Sequence, residues 1–290
     1  MGQAAAALQG TPGQVLRPAR ALLGWLPHDQ AILLQNGQRQ GPVPPEYGRN
    51  AEAARAAVAA RPEGLDQTGV VAELNGELAE HLAALRVSPA AAFFNEGWRA
   101  ALVDLRRVCA LQPTVHIDHA EERTAQAMAG DLRSLAHITL PLPADTELPA
   151  QFDQAKLTWI IRCPNLNLRI VGSWCGPVQP GVFAFALTVA LSPSYLQVAQ
   201  VRGRYVLRDG YHRACGLLRR GITHAPAFLR DFGPYEDPGL PPGLFGPNVY
   251  LGERPPVLSD YMDNSVSSKV LVPATQKMIL VHGIELTPMS

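Results

Sequence analysis

The residues with the clearest chemical potential stand five in a row, Asp209-Gly210-Tyr211-His212-Arg213. They follow the apolar pair Val206-Leu207 and precede a stretch that ends at Gly221, a residue type that is typical just beyond a helix C-terminus. Asp-Gly is also a common turn dipeptide. This order predicts a strand, a turn at Asp209-Gly210 and a helix that begins directly after it.

The predicted start of this helix is suited to an anion. The first turn of a helix has backbone N–H groups without intrahelical partners, and the helix dipole adds partial positive charge there. Gly210 allows a ligand to approach the backbone closely. Arg213 can donate a fork of hydrogen bonds, and His212 supplies a donor or a proton-transfer group. The segment therefore predicts an anion- or nucleotide-binding site.

Each of these side chains also has an interpretation without a ligand. Asp209 can be the N-cap of the helix, with as much weight as a functional role. Arg213 can form a surface salt bridge, and His212 fits function or structure equally. For Tyr211, packing is favoured over catalysis.

The run 203–213, followed by Leu217, Gly221 and Pro226, resembles the core of the ParB/sulfiredoxin superfamily. Domains of that superfamily place a Gly-x-x-Arg or Asp-Gly-x-His-Arg turn between a strand and a helix and bind nucleotide phosphates there. The segment Leu-Ser-Pro-Ser-Tyr-Leu at 191–196 is similar to the one that often precedes the strand. The resemblance extends over residues 137–232.

The departures from the superfamily narrow what the resemblance implies. Sulfiredoxin-like enzymes have a cysteine where this chain has Tyr211, and Cys215 is a helical turn away, so redox repair is not implied. Chromosome-partitioning ParB proteins carry Gly-Glu-Arg-Arg and a DNA-reading helix-turn-helix. The variant nearest to this chain is that of the free serine kinases, Asp-Gly-His-His-Arg. It implies phosphoryl transfer from a nucleotide with Mg²⁺, and a catalytic glutamate from an earlier segment, for which Glu147 is the candidate.

The resemblance also implies a role for each residue of the turn. Gly210, Tyr211, His212 and Arg213 would bind the phosphates of ATP, ADP or CTP, with Arg213 clamping phosphate oxygens and His212 donating to the developing charge. Asp209 would hold Mg²⁺ directly or through water. Asp209, His212 and Glu147 are thus the catalytic candidates, and a small molecule is the expected acceptor.

A second group of polar residues, His116, Asp118 and His119, could look like a metal cluster, with Glu121 and Glu122 close behind. However, it lies where a helix is predicted to begin, and acidic residues are common in a first helical turn. The interpretation as a helix start is therefore favoured over metal binding.

The elements that must position these residues follow from hydrophobic periodicity. Apolar residues recur at steps of three and four between 51 and 133, which predicts amphipathic helices. The predicted helices are one over 18–25, one that carries Leu74, Leu78, Leu82 and Leu85, one over 90–109 and one over 118–136. After His137, short runs rich in β-branched and aromatic residues alternate with Pro and Gly clusters, which predicts strands. They cover 138–140, 157–161, 168–171, 182–191, 203–207 and 226–229.

This pattern predicts an α+β protein in three parts. Residues 1–136 are expected to be mainly helical, residues 137–232 to form a small mixed-sheet ParB/sulfiredoxin-like domain, and residues 233–290 to be a proline-rich extension packed on the body. The leading hypothesis is a nucleotide-binding protein, with phosphoryl transfer or nucleoside triphosphate hydrolysis as its reaction. The alternative is a non-catalytic regulatory module on the same fold that contacts protein or nucleic acid.

The composition bounds these functions. The chain of 290 residues is 47% apolar and 17% charged, which suffices for a real core. Its formal net charge is +0, so nucleic acid is not favoured as a partner.

Four cysteines without a Cys-x-x-Cys pair predict reduced, mostly buried thiols. With no signal-peptide pattern and no apolar run near the ~18 residues of a membrane helix, we expect a cytoplasmic protein without a membrane partner. The oligomeric state stays open.

Overall fold

The computed structural model describes residues 15–37, 42–74, 76–143, 148, 150–163, 167–233 and 236–282. Its helices are α1 (His28–Gln35), α2 (Pro45–Ala59), α3 (Ala79–Arg86), α4 (Ala91–Asn95), α5 (Ile117–Arg123), α6 (Leu132–Thr139), α7 (Tyr211–Arg219) and α8 (Pro247–Tyr250). Its strands are β1 (Leu16–Ala21), β2 (Val71–Ala72), β3 (Arg99–Asp104), β4 (Thr114–His116), β5 (Ala150–Asp153), β6 (Thr158–Cys163), β7 (Leu168–Gln179), β8 (Val182–Leu191), β9 (Gln197–Val201), β10 (Arg204–Asp209), β11 (His224–Phe232), β12 (Ser268–Pro273) and β13 (Lys277–His282). The protein is therefore α+β, as predicted.

The chain divides into two compact units. The larger unit comprises residues 1–142 and 194–274, and the smaller unit comprises residues 143–193 and 275–290. These boundaries differ from the divisions at 136 and 232 that the sequence suggests. The stretch before residue 137, expected to be mainly helical, also contributes β1 to β4.

A five-stranded mixed sheet with the order β10-β9-β11-β3-β2 organises the larger unit. Strands β9 and β10 form an antiparallel hairpin whose turn residues, Arg202 and Gly203, have φ of 48° and 78°. Strand β11 pairs parallel with β9 and antiparallel with β3. Leu196, the residue before β9, donates from its backbone N–H to Thr139 O at the end of α6 at 2.7 Å. Helix α7 connects β10 to β11. The sequence predicted this order of strand, helix and returning strand.

The second sheet of this unit includes a segment that the sequence predicted to be a helix. The segment 18–25, expected to be a helix, forms β1 and a 3-10 turn at Leu23–Trp25. Strand β1 lies between β12 and β4 and pairs antiparallel with both. Its buried Arg20 donates from Nε to Tyr261 O at 2.6 Å and from Nη2 to Ser267 Oγ at 2.6 Å. Partners that lie more than 200 residues away therefore override the local helical pattern.

Three other helix and strand predictions also need correction. The predicted helix over 90–109 ends at Asn95, because Gly97 takes φ of 86°, and residues 99–104 form the interior strand β3 instead. The predicted helix over 118–136 is divided into α5 and α6, and the Asp131 side chain caps α6 by accepting from Arg133 N and Ser134 N. The strand predicted at 138–140 is the end of α6.

The helix with the leucine repeat is confirmed in part. It begins at Ala79, after a 3-10 turn at Gly76–Leu78, and it buries Leu78 and Leu85 completely. Leu74 precedes both elements. None of the described helices is both long and apolar enough to cross a membrane.

The smaller unit contains two sheets of its own, β13-β6-β5 and the two-stranded β7-β8. The strands predicted at 157–161, 168–171 and 182–191 are confirmed here. Among its described residues only Thr158, Cys163 and Leu168 are buried. A cavity of about 250 Å³ within this unit is lined by seven apolar side chains, Trp159, Ile161, Phe185, Leu187, Val189, Ile279 and Val281.

The stretch after Phe232, predicted to be a proline-rich extension, contributes to both units. It supplies α8, a 3-10 turn at Leu258–Met262 and β12 to the larger unit, and β13 to the smaller unit. Tyr261 and Leu258 of the turn are buried in the main core. The extension is therefore an integral part of the fold.

Candidate anion-binding site

The strand–turn–helix predicted around Asp209 is confirmed. Strand β10 ends at Asp209, Gly210 takes φ of 95°, and α7 runs from Tyr211 to Arg219. A side chain at Gly210 would place its Cβ 2.8 Å from Leu196 Cδ1 and 3.0 Å from Leu196 Cα. Both the left-handed backbone and the close approach to Leu196 thus require glycine at this turn.

The start of α7 has backbone N–H groups without intrahelical partners. Gly210 is the N-cap residue and provides no side-chain cap. The first intrahelical hydrogen bond runs from Ala214 N to Gly210 O at 2.9 Å, so the amides of residues 211–213 precede it. The Gly210 N–H itself donates to Asp209 Oδ1 at 2.7 Å. The amides that lack an intrahelical partner at the start of α7 are therefore those of Tyr211, His212 and Arg213.

Asp209 is held in the turn by two hydrogen bonds. Its Oδ1 accepts from Gly210 N, and its Oδ2 accepts from Ser194 Oγ at 3.1 Å. The interpretation of Asp209 as the helix N-cap is wrong, because Gly210 occupies that position. Each carboxylate oxygen therefore has one protein partner and keeps a second lone pair.

Arg213 is buried, with 5% of its surface exposed. Its Nη2 donates to Ser194 Oγ at 2.7 Å, and Ser194 in turn donates to Asp209. No ion pair joins Arg213 to a carboxylate among the residues that the structure describes, so the surface salt-bridge interpretation is wrong. Burial lowers the pKa of Arg213 to about 10, against the opposing effect of Asp209, and the group stays charged at neutral pH. A buried cation with a neutral partner is the main electrostatic feature of the site.

His212 belongs to a histidine cluster that we define as His116, His119 and His212. The ring centroids lie 5.4 Å apart for His116–His119, 5.5 Å for His119–His212 and 5.9 Å for His116–His212. Burial, with a contribution from Arg123, lowers the pKa of His212 to about 3, so this ring is neutral at pH 7. Burial likewise lowers the pKa of His116 and of His119.

Unpaired polar atoms concentrate at this site. Within the described part of the chain, four buried side-chain N or O atoms have no hydrogen-bond partner: His116 Nδ1, Tyr195 OH, His212 Nε2 and Arg213 Nη1. Two of these belong to consecutive residues of α7, and the other two to residues that interact with them electrostatically. Buried polar groups are nearly always paired, and each unpaired one is destabilising by about 1–3 kcal/mol. Water, an ion or a ligand can supply partners for such atoms.

Tyr211 packs, as favoured from the sequence. It is 4% exposed, donates from its hydroxyl to Leu207 O at 2.5 Å and accepts from Leu111 N at 2.9 Å. Burial raises the pKa of this hydroxyl, so it does not ionise near neutral pH. Only the backbone N–H of Tyr211 is therefore offered to a ligand.

The start of α5 confirms the helical interpretation of the second polar group. His116 is the N-cap residue and Asp118 lies in the first turn of the helix. Asp118 Oδ2 pairs with Arg17 Nε at 3.2 Å, and His119 contacts the same guanidinium. No three His, Cys, Asp or Glu side chains are arranged to hold a metal ion in the described ranges. A magnesium ion held by Asp209 stays a prediction.

Glu147 and the four cysteines are the other residues for which the sequence makes a prediction. Glu147 lies outside the described residues, so its position relative to Asp209 is not part of the site geometry. All four cysteines are free, and Cys109, Cys163 and Cys215 are buried as predicted. Burial raises the pKa of the Cys215 thiol, which makes it unreactive beside the turn.

Ser194, Tyr195 and His116 are the site residues that the sequence did not identify as such. Ser194 and Tyr195 belong to the segment that resembles the family's pre-strand region, and His116 to the polar group assigned to a helix start. Their approach to α7 depends on the order of strands in the sheets. A comparison with protein-family models, with curated proteins and with solved structures finds no match for this chain.

Proposed function

We propose that this protein binds a phosphate-bearing small molecule, with a nucleotide such as ATP, ADP or CTP as the first candidate, at the N-terminus of α7. The observation that carries the proposal is the unpaired, buried Nη1 of Arg213. Among the described residues, the guanidinium donates only to the neutral Ser194 hydroxyl, with Asp209 acting on it from beyond that hydroxyl, so a donor is left over for an anion. The amides at the start of α7 add donors to the same place.

In this proposal the side chains bind and orient the anion. Arg213 donates from Nη1 to a phosphate oxygen, while Ser194 holds the opposite edge of the guanidinium and connects it to Asp209. Tyr195 contributes its unpaired hydroxyl as a further donor. Because these groups are already buried and oriented, the ligand does not have to order them on binding.

The ParB/sulfiredoxin-like assignment is proposed together with this function. Its support is the strand–turn–helix at residues 203–221, the returning strand β11 and the residues of the turn itself. The free-serine-kinase-like variant of the motif extends the proposal to phosphoryl transfer or nucleoside triphosphate hydrolysis. In such a reaction Arg213 would stabilise charge on the transferred group, with Asp209 and Glu147 as the acidic candidates.

A non-catalytic binding module is the second candidate, and two observations favour it. Both carboxylate oxygens of Asp209 accept hydrogen bonds within the protein. In the free protein, the low pKa of His212 keeps its ring neutral at pH 7, so it is not in the charged form of a general acid. Phosphate release from ATP or CTP by the purified protein, measured with and without Mg²⁺, separates the two candidates.

Ligand-dependent stabilisation tests the binding proposal. Orthophosphate, ATP, ADP and CTP are added in turn, and thermal unfolding and titration calorimetry are recorded. A ligand at 100 times its Kd should stabilise the fold by about 2.7 kcal/mol. Arg213→Gln should weaken binding at least about tenfold, since it removes a charge-assisted hydrogen bond.

Arg219→Gln is the matched control, because Arg219 lies at the other end of α7 and pairs with Glu121 at 2.5 Å. This variant should bind as the unmodified protein does. The proposal is overturned if no ligand raises the melting temperature, or if Arg213→Gln binds as tightly as Arg219→Gln.

A further inference from the structure

The histidine cluster has a feature that ligand binding at α7 would change. Its three imidazoles come from three elements, β4, α5 and α7, and their centroids are 5.4–5.9 Å apart. His212 stands next to Arg213 in sequence, at the start of α7. Two of the ring nitrogens, His116 Nδ1 and His212 Nε2, are buried without a partner. In the tautomer that leaves it unprotonated, each of these two atoms can accept a proton without breaking an existing hydrogen bond of the protein.

Positive charge surrounds the cluster in the absence of a ligand. The guanidinium groups that act on the rings are those of Arg17 on β1, Arg123 on α5 and Arg213 on α7. The carboxylates that oppose them are Asp118 and Glu122 on α5, and Asp118 is already paired with Arg17. Together with burial, this excess of cations keeps the rings neutral.

We propose that the histidine cluster accepts one proton from solvent when an anion binds at the start of α7. The inference rests on the proposed function, because the bound anion supplies the charge. A divalent anion beside Arg213 places negative charge next to His212, and this favours the imidazolium against burial and Arg123, which come first among the causes of its low pKa. The proton then bonds to an unpaired ring nitrogen, either His212 Nε2 or His116 Nδ1, and the new N–H can donate to the anion.

The sign of the pH dependence follows by linkage. The pKa of each ring is lowered in the free protein, so the free cluster is mainly neutral at pH 7 and above. The bound cluster has a higher pKa and holds one more proton. Affinity therefore rises as the pH falls, by up to about tenfold per pH unit for a full proton.

Sulfate is the probe that isolates this effect, because its charge does not change between pH 6 and pH 8. Titration calorimetry of the full chain with sulfate at pH 6, 7 and 8 should give tighter binding at lower pH. Repeating the pH 6 titration in two buffers of different protonation enthalpy should give heats that differ by the uptake of about one proton.

Variants locate the proton. The triple substitution His116→Gln, His119→Gln and His212→Gln removes every ring of the cluster, so it should abolish the proton uptake and flatten the pH dependence, while Arg213 still binds sulfate. His224→Gln is the control, because His224 lies beside Asp104, with Nε2 4.0 Å from Asp104 Oδ2, outside the cluster. It should keep the full pH dependence.

The outcomes separate the two proposals. If neither sulfate nor orthophosphate binds at any pH, the proposed function itself fails. If sulfate binds with the same Kd at pH 6 and pH 8 and with buffer-independent heats, only the proton uptake is rejected. If the triple variant keeps the full pH dependence, the cluster is not the acceptor. Should the triple variant not fold, the buffer comparison on the unmodified protein decides.

Discussion

At the scale of single residues, the turn of the candidate site depends on one glycine. Gly210 combines φ of 95° with a backbone that passes within van der Waals distance of Leu196. Gly203, in the β9–β10 hairpin, has a similar φ of 78°, but nothing lies within 4 Å of the place where its Cβ would stand. Alanine at Gly203 would thus introduce backbone strain alone, whereas alanine at Gly210 would add steric overlap with Leu196.

We predict that Gly210→Ala lowers the free energy of unfolding by about 2–4 kcal/mol, because it adds overlap with Leu196 to the left-handed backbone strain. Gly203→Ala should lower it by about 1–2 kcal/mol, from the strain alone. Urea denaturation of both variants measures the difference. Equal losses would mean that the approach of Leu196 does not constrain the turn.

Local chemistry predicted part of the site. The turn, the helix start and the burial of Tyr211 follow from residues that are adjacent in sequence. Ser194 and Tyr195 reach Arg213 only because β9 lies beside β10 in the sheet, and His116 reaches His212 because α5 packs on α7. Such non-local neighbours leave no periodic signal in a single sequence.

At the scale of secondary-structure elements, the end of β3 is organised by a buried carboxylate. Asp104 is 1% exposed, accepts from Arg106 N at 3.1 Å and pairs with Arg106 and Arg107. Burial raises the pKa of Asp104, but the hydrogen bonds from Arg106 outweigh burial, and the net shift is downward. A carboxyl group with a lowered pKa stabilises the fold above its ordinary pKa, and this contribution is lost as the pH falls through the lowered value.

We predict that Asp104→Asn lowers the free energy of unfolding at pH 7 by roughly 1–3 kcal/mol, through the loss of charge-assisted hydrogen bonds. The difference from the unmodified protein should shrink below about pH 4, where the native carboxylate also takes up a proton. Denaturant unfolding at pH 7, 5 and 3 measures both effects.

Asp66→Asn is the control for this series, since Asp66 pairs with the same Arg107 but its side chain is 71% exposed. It should change stability little at any pH. A constant difference between Asp104→Asn and the unmodified protein from pH 7 to pH 3 would contradict the role of the charge.

Element types were predictable where turn chemistry and periodicity agreed, as in β8, β10 and α7. They were not predictable for β1 and β3, whose alanine and leucine content favours helix in isolation. Both are interior strands, paired on two sides with segments that are distant in sequence. Pairing and burial outweigh intrinsic propensity at such positions.

At the scale of the whole molecule, the two units differ in how much they bury. Strands β9 and β11 of the larger unit consist mainly of buried residues. In the smaller unit, β7 has β8 as its one partner among the residues that the structure describes, and most of its side chains are exposed, among them Ile170, Val171 and Trp174. Few buried contacts and exposed backbone hydrogen bonds allow local opening at low free energy.

We therefore predict that amide hydrogens of β7 and β8 exchange with solvent much faster than those of β9 and β11. Hydrogen–deuterium exchange followed by mass spectrometry on peptides from each strand measures this directly. Peptides from β3 serve as an internal reference for a buried interior strand. Equal protection of β8 and β11 would contradict a difference in local stability between the units.

The chain leaves the larger unit at residue 142 and re-enters it at residue 194, and the hydrogen bond from Leu196 N to Thr139 O holds the two crossing points side by side. For protein engineering, residues 143–193 are thus an insertion that a short Gly-Ser linker can replace, with truncation after residue 274. The first residue after the crossing is Ser194, the hydroxyl that joins Arg213 to Asp209. The linker would thus join the chain at Ser194, the residue that accepts the hydrogen bond from Arg213. A replacement of residues 143–193 must therefore keep Ser194 itself.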